Sequence, residues 1–346
     1  MSLLQFGFKK YCEIQRRFNL NNLPPLIIWE PTLACNFKCK FCGFYGEGGA
    51  PPDLRKELIR EDVDKTLKMW EDIILCYWPR KPIVGITGGE PFSVKDLSKF
   101  LDLFKREKIK YSITSNGYLI NEEWCKQLKE TGCTQVRISL HGLVNIHNNL
   151  VQIPNAYERV IKNIKLLKNH KIDVLINCVI TNENFPQLEQ LVLLAKELSV
   201  NIRFQHLEWL TPEVRQIHGE FTANIFGYDL PVKYGFSNLN DTAIVKVKEF
   251  VSQNKGKVLF EPDLKLEEID DYYRRWSYAH CSKCYQPWGV ARLDPYGNVY
   301  PCIDYYFGNL KESDFDKIWN GNKTRLFKNE LKKYGLFPGC RRCCKI

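Results

Sequence analysis

Between residues 26 and 206, short apolar runs alternate with amphipathic stretches. The runs Leu26–Glu30, Ile83–Thr87, Tyr111–Ser115, Gln135–Leu140, Asp173–Thr181 and Asn201–His206 predict six strands. They are short and mostly apolar, as strands covered on both faces are. Helical spacing appears between them. Glu61–Cys76 carries Val63, Leu67, Trp70 and Ile74 on one face, and Asp96–Lys105 carries Leu97, Phe100, Leu101 and Phe104. Glu122–Glu130, Tyr157–Lys168 and Leu188–Leu198 continue the alternation. Strands that alternate with helices imply a parallel sheet joined by right-handed crossovers. Six units fall short of the eight of a closed barrel. The expected fold is therefore α/β, a partial (β/α)6 TIM-type barrel over 23–210. A connecting region over 211–280 and a small Cys-rich α+β extension over 281–346 complete the chain, behind an N-terminal amphipathic segment over 1–22.

The loops after the strands collect the reactive residue types. Cys35, Cys39 and Cys42 follow the first strand, Gly88-Gly89-Glu90-Pro91 the second, Asn116-Gly117 the third and His141-Gly142 the fourth. The sixth ends near Gln205-His206. In a parallel barrel these are the carboxyl ends of the strands, where active sites are built.

Composition narrows the class. The chain of 346 residues is 44% hydrophobic and 26% charged, which excludes a disordered polymer. No apolar run approaches the roughly 18 residues of a membrane span, and the first residues lack a secretory h-region. Fourteen cysteines in such a chain point to metal or redox chemistry in a reducing compartment, so a cytoplasmic location is expected. The net charge of +10 is spread in short basic pairs, among them Arg16-Arg17 and Arg341-Arg342. Such pairs suit solvated faces, and nucleic-acid binding is not expected.

The spacing Cys35-x3-Cys39-x2-Cys42 offers three thiolates and no local fourth ligand. Structural zinc usually has four ligands, whereas three thiolates suit an iron–sulfur cluster with one iron open. Spacing alone leaves a zinc site with a distant ligand, or three buried cysteines, as alternatives. Together with Phe41 and the Gly88-Gly89-Glu90-Pro91 run one unit later, the cysteines resemble the radical S-adenosylmethionine enzymes. The resemblance implies a [4Fe–4S] cluster on Cys35, Cys39 and Cys42 whose free iron chelates S-adenosylmethionine. One-electron reduction then yields methionine and a 5′-deoxyadenosyl radical, which takes a hydrogen atom from substrate. It further implies cofactor contacts from the Gly88-Gly89 backbone, Glu90, Ser115, Asn116, Ser139 and Asn177.

Residues 281–346 hold six cysteines, with an expected hairpin around Tyr296-Gly297-Asn298 before Cys302 and the pair Cys340-x2-Cys343 after it. The order resembles the SPASM or twitch extension of the same superfamily. That implies one auxiliary [4Fe–4S] cluster on Cys284, Cys302, Cys340 and Cys343, with Cys281 and Cys344 as spares; the cysteine pairs by themselves also fit a four-cysteine zinc site. The remaining cysteines fall singly and read as small buried hydrophobes.

Substrate signals are sparse. His141 and His206, at two strand ends, are candidate proton carriers, and Glu208 and Trp209 are expected to face the same cavity. The leading expectation is an enzyme acting on a peptide, cofactor precursor or other biosynthetic intermediate, fed by a low-potential ferredoxin or flavodoxin. A second is modification of a membrane lipid. Leu4, Phe8, Tyr11 and Phe18 share a helical face near Lys9, Lys10, Arg16 and Arg17, an arrangement suited either to a peripheral position on anionic lipid or to packing across the barrel. A third is a non-enzymatic zinc protein that binds nucleic acid.

Overall fold

The computed structural model describes residues 3–18, 20, 22–43, 63–227, 238–302 and 305–343. All six expected strands form: β1 (Leu26–Trp29), β2 (Ile83–Ile86), β3 (Tyr111–Ser115), β4 (Cys133–Ser139), β5 (Val174–Val179) and β6 (Asn201–Gln205). They pair in chain order, each parallel to its neighbour. Two further parallel strands lengthen the sheet at its two sides. β7 (Leu259–Glu261) joins β6, and β8 (Val290–Leu293) joins β1. β8 then leads into antiparallel β9 (Asn298–Tyr300) and β10 (Gly308–Asn309). The ten-stranded sheet runs from β10 at one edge to β7 at the other and does not close among the described residues. The fold class is the expected partial barrel with a small extension.

Twelve α-helices occur among the described residues: α1 (Leu3–Phe18), α2 (Val63–Cys76), α3 (Leu97–Arg106), α4 (Glu122–Glu130), α5 (Val144–Val151), α6 (Ala156–Asn169), α7 (Leu188–Glu197), α8 (Pro212–Phe226), α9 (Asp241–Asn254), α10 (Leu266–Arg274), α11 (Phe315–Trp319) and α12 (Asn322–Tyr334). Alternation along the strands sends Ile27, Trp29, Val84, Ile86, Ile113, Val136, Ile138, Ile176 and Phe204 into the fully buried helix-covered core. Trp29 packs there against Trp70 of α2 and Phe100 of α3, with ring centroids 5.4 and 4.8 Å apart. Full burial of a side chain of Phe size contributes about 2–3 kcal/mol. The other face carries the polar strand residues Thr114, Arg137, Ser139, Asn177, Arg203, Glu261 and Arg292, alongside apolar ones such as Ile28 and Leu175.

In the sequence, residues 211–280 show one plausible helix, Thr242–Gln253, which forms as α9; the rest of the region is more ordered than its loose pattern suggests. It also contains α8, β7 and α10. α8 has its own signals: Thr211 accepts from Val214 N at 3.3 Å, Pro212 opens the helix, and Gly227 closes it at φ +80°. Asp270–Arg274, rich in charge and tyrosine, forms the end of α10.

α1 lies on the C-terminal extension. Cys12, Gln15 and Arg16 are buried, and the Arg16 guanidinium sits 5.6 and 5.5 Å from the ring centroids of Tyr285 and Trp288. Of the four basic residues grouped as a lipid-facing set, Arg16 is therefore internal, whereas Lys9, Lys10 and Arg17 are exposed. Phe8 and Tyr11 pack against the core and Phe18 is exposed. The side chain of Leu4 lies outside the described residues. No helix among them is long and apolar enough to cross a membrane.

Candidate active site

The first cysteine loop hangs between β1 and a surface supplied by α5. Lys38 N and Lys40 N donate to Val151 O and Leu150 O at 3.2 and 3.0 Å, and Gln152 Nε2 donates to Lys38 O at 2.7 Å. Phe37 is buried among Val151, Ala156 and Tyr118. Each cysteine is partly exposed, and Cys39 lies within electrostatic reach of Cys35 and Cys42. Burial pushes the Cys35 thiol up to about 11 and raises that of Cys39 as well. Metal coordination reverses this by replacing the proton. Two donors already address the Cys35 sulfur, Phe37 N at 3.4 Å and Asn116 Nδ2 at 3.8 Å.

The Gly88-Gly89-Glu90 run is locked against this loop. Gly89 N donates to Thr32 O at 2.8 Å and Glu90 N to Ala34 O at 2.9 Å. A Cβ at position 89 would stand 2.0 Å from Ala34 O, and one at 88 would stand 2.3 Å from Thr32 O; Gly88 also adopts φ +116°. Only glycine allows so close a backbone approach. Glu90 is fully buried and accepts from Phe92 N at 3.1 Å, Ser115 Oγ at 2.8 Å and Asn116 N at 2.8 Å. Burial raises its carboxyl to about 7 against the pull of these three donors. Glu90 thus ties the β2 and β3 loops together. Asn116 reaches on to Asn36 Oδ1 at 2.8 Å. Glu90, Ser115 and Asn116 therefore form one bonded group beside the cysteines.

Ser139 and Asn177 stand opposite each other in the β4–β5 register. Asn177 Oδ1 accepts from Arg203 Nε at 2.7 Å, and Arg203 Nη1 lies 2.5 Å from Glu261 Oε2. This polar row crosses β4 to β7 on the face away from the helices.

The two histidines differ in setting. His141 is buried under Phe41, whose ring centroid is 4.7 Å away. Its Nδ1 accepts from Val179 N at 3.2 Å, which places the imidazole proton on Nε2. Burial lowers it to about 3, so the ring is neutral. His206 and Trp209 were expected to face a cavity; the structure turns both inward. His206 is fully buried among Phe260, Tyr272 and Tyr273, with Nδ1 2.7 Å from Tyr273 Oη. Trp209 receives the Arg342 guanidinium at 4.9 Å. The physical reason is the unforeseen α10, which brings Tyr272 and Tyr273 onto the end of β6.

The second group draws its cysteines from distant segments. Buried Cys284 lies within electrostatic reach of Cys340, Cys343 and Cys302, and its thiol is raised by burial and by these neighbours. The intervening hairpin is as expected, with Asp294 accepting from Tyr296 N and Asn298 N at 2.9 and 3.0 Å around Gly297. The last cysteine loop is clamped to the connecting region. Gly339 N donates to His218 Nδ1 of α8 at 3.1 Å. Arg342, between Cys340 and Cys343, donates to Tyr278 O and Arg275 O at 2.5 and 2.6 Å. The pair Arg341-Arg342 reads as solvated in sequence, yet Arg342 is 1% exposed. Cys281 is partly exposed, and Cys344 lies outside the described residues. Both thiol groups fit iron–sulfur clusters in donor chemistry: three thiols with a polar bonded group beside them, and four thiols gathered in an apolar extension. Among the described residues no three His, Cys, Asp or Glu side chains converge on one point that a single ion could fill.

Comparison with known proteins agrees with this geometry. The profile of the radical SAM superfamily matches residues 29–195, and that of an iron–sulfur cluster-binding domain, SPASM, matches residues 284–344. An AdoMet-dependent heme synthase of Methanosarcina barkeri is 23% identical over 87% of this chain and 83% of its own. A cysteine-type anaerobic sulfatase-maturating enzyme of Clostridium novyi is 23% identical over 92% and 87%. Streptococcus suis SuiB bound to S-adenosylmethionine superposes with TM-score 0.58 at 22% identity, covering 91% of this chain and 69% of that one, and so shares the fold. The chain is a radical S-adenosylmethionine enzyme with a C-terminal SPASM iron–sulfur extension.

Proposed function

We propose that this enzyme cleaves S-adenosylmethionine reductively and abstracts a hydrogen atom from a peptide, cofactor precursor or other biosynthetic intermediate. One auxiliary [4Fe–4S] cluster carries electrons. A first [4Fe–4S] cluster, distinct from the auxiliary one, would with bound S-adenosylmethionine supply the 5′-deoxyadenosyl radical. Cys35, Cys39 and Cys42 hold that cluster, and Cys284, Cys302, Cys340 and Cys343 hold the auxiliary one. The Gly88-Gly89 backbone and the Glu90, Ser115 and Asn116 group position the methionine end, with Ser139 and Asn177 toward the nucleoside. His141, neutral with Nδ1 occupied, serves as a hydrogen-bond donor at Nε2 rather than as a base. His206, buried against Tyr273, braces the end of β6 and takes no direct part in the chemistry.

The observation that carries this reading is the clamp of Gly88-Gly89-Glu90 onto the cysteine loop, with the Glu90 and Asn116 group adjoining Cys35. Relatives named for heme synthesis and for sulfatase maturation support a cofactor precursor or a polypeptide as substrate. The cysteine usage supports a cytoplasmic setting, and the net charge of +10 supports an acidic ferredoxin or flavodoxin as electron donor. The test is anaerobic incubation with dithionite and S-adenosylmethionine. Methionine and 5′-deoxyadenosine should accumulate together, and deuterium from a labelled substrate should enter the nucleoside. A protein that binds iron yet forms neither product contradicts the reading.

A further inference from the structure

Beneath the first cysteine loop sits a histidine that the reading above leaves without a task. His147 of α5 is fully buried, and its ring lies 6.4 Å from that of Phe37 and 6.0 Å from that of His141. It stands one helical turn before Val151, the residue whose carbonyl holds Lys38 N of the cysteine loop. Its Nδ1 accepts from His141 N at 3.2 Å. A ring nitrogen that accepts from a backbone N–H carries no proton, so the neutral ring has its proton on Nε2. Burial keeps the ring neutral by lowering it to about 4.

The Nε2–H is buried and has no hydrogen-bond partner among the described residues. A buried donor without an acceptor costs free energy, and native interiors rarely leave one so. The group that belongs against this loop is rich in sulfur acceptors. We propose that His147 Nε2–H donates a hydrogen bond to a sulfur of the first cluster, either a cysteine thiolate or a bridging sulfide. The rest of the path is built: Val179 N–H caps His141 Nδ1, and His141 N–H caps His147 Nδ1, so β5 and the β4 loop fix the donor tautomer. Phe37 N and Asn116 Nδ2 address the same cluster through Cys35.

Donation to sulfur stabilises the more negative, reduced cluster and raises its potential. His147 is thus a positioning and tuning residue rather than a catalytic one. The inference rests on the assignment of the first cluster, and the experiment separates the two. Holoenzyme, His147→Phe and His147→Gln are each titrated with dithionite under electron paramagnetic resonance. The first cluster is identified by its signal change on addition of S-adenosylmethionine. Phe should shift that cluster to lower potential and leave the second cluster unmoved. Gln, which retains an N–H donor, should lie nearer the wild type. Wild-type protein labelled with 15N in histidine should show a nitrogen coupling to this signal that His147→Phe lacks. An unchanged potential and coupling in a cluster-loaded His147→Phe protein overturns the inference, as does loss of the cluster in both variants. A wild-type protein with no signal that responds to S-adenosylmethionine defeats the underlying assignment instead.

Discussion

The two thiol groups of this enzyme are built in opposite ways. The first takes three cysteines from one eight-residue loop, and short backbone bonds to β2 and α5 shape that loop. The second takes Cys284, Cys302, Cys340 and Cys343 from three segments spread over sixty residues. They are gathered by a hairpin, an aromatic interior around Trp319 and Phe327, and the Arg342 clamp. The first site is specified locally and borrows rigidity from the barrel. The second exists only when the extension has folded onto α8 and α10.

Cysteine variants test this difference most sharply. Cys39→Ala should abolish formation of 5′-deoxyadenosine, a loss of at least about a thousandfold of the kind that follows removal of an essential catalytic element, while the second cluster's signal remains. Cys302→Ala should do the reverse and leave uncoupled cleavage without substrate product. Equal loss of both signals in either variant would show that the two groups do not form independently.

Gly89→Ala strikes the clamp. The new methyl would enter the space of Ala34 O, and overpacking of this kind costs about 3 kcal/mol. Iron bound at the first site should fall, with the second retained. Wild-type iron content and melting temperature would refute the tight approach of the two loops.

His206 sits where the barrel rim meets α10, and its response is to pH. Burial lowers it to about 3 from the ordinary histidine value near 6.5. As pH falls, the unfolded chain binds this proton first. The stabilisation is therefore complete above about 6.5 and declines below it, by about 2 kcal/mol at pH 5. His206→Phe should flatten the dependence of the urea midpoint on pH between 7 and 5. An unaltered slope would show that His206 takes up its proton within the folded protein.

The smallest expected effect concerns the surface. With reduced ferredoxin or flavodoxin as donor, turnover should drop several-fold between low and physiological salt, because acidic donors are steered by the net positive charge. Turnover driven by dithionite should change little. Equal salt dependence of the two would remove the steering argument.

Much of the barrel was legible in the sequence because its signals are local. All six strands and their order follow from apolar runs, and the cysteine and glycine motifs fall on the predicted loops. The missed parts depend on distance or on weak propensity. β8 was visible as half of a hairpin, but its partner β1 lies more than 260 residues earlier. β7 is three residues long. α5, with Asn145, Asn148 and Asn149, has poor helix formers and gives no helical signal of its own in the sequence, which hides His147. Arg342 and Arg16 looked like surface charge. Their burial depends on Trp209 and Tyr272 for one and on Tyr285 and Trp288 for the other, aromatic partners far away in sequence.

The account turns on the first cysteine loop. Anaerobically prepared enzyme should contain iron and sulfide, and after reduction it should give a paramagnetic signal whose line shape changes when S-adenosylmethionine is added. Cys39→Ala should lack the component that responds. Protein that carries zinc in place of iron, or a signal indifferent to S-adenosylmethionine, would contradict it.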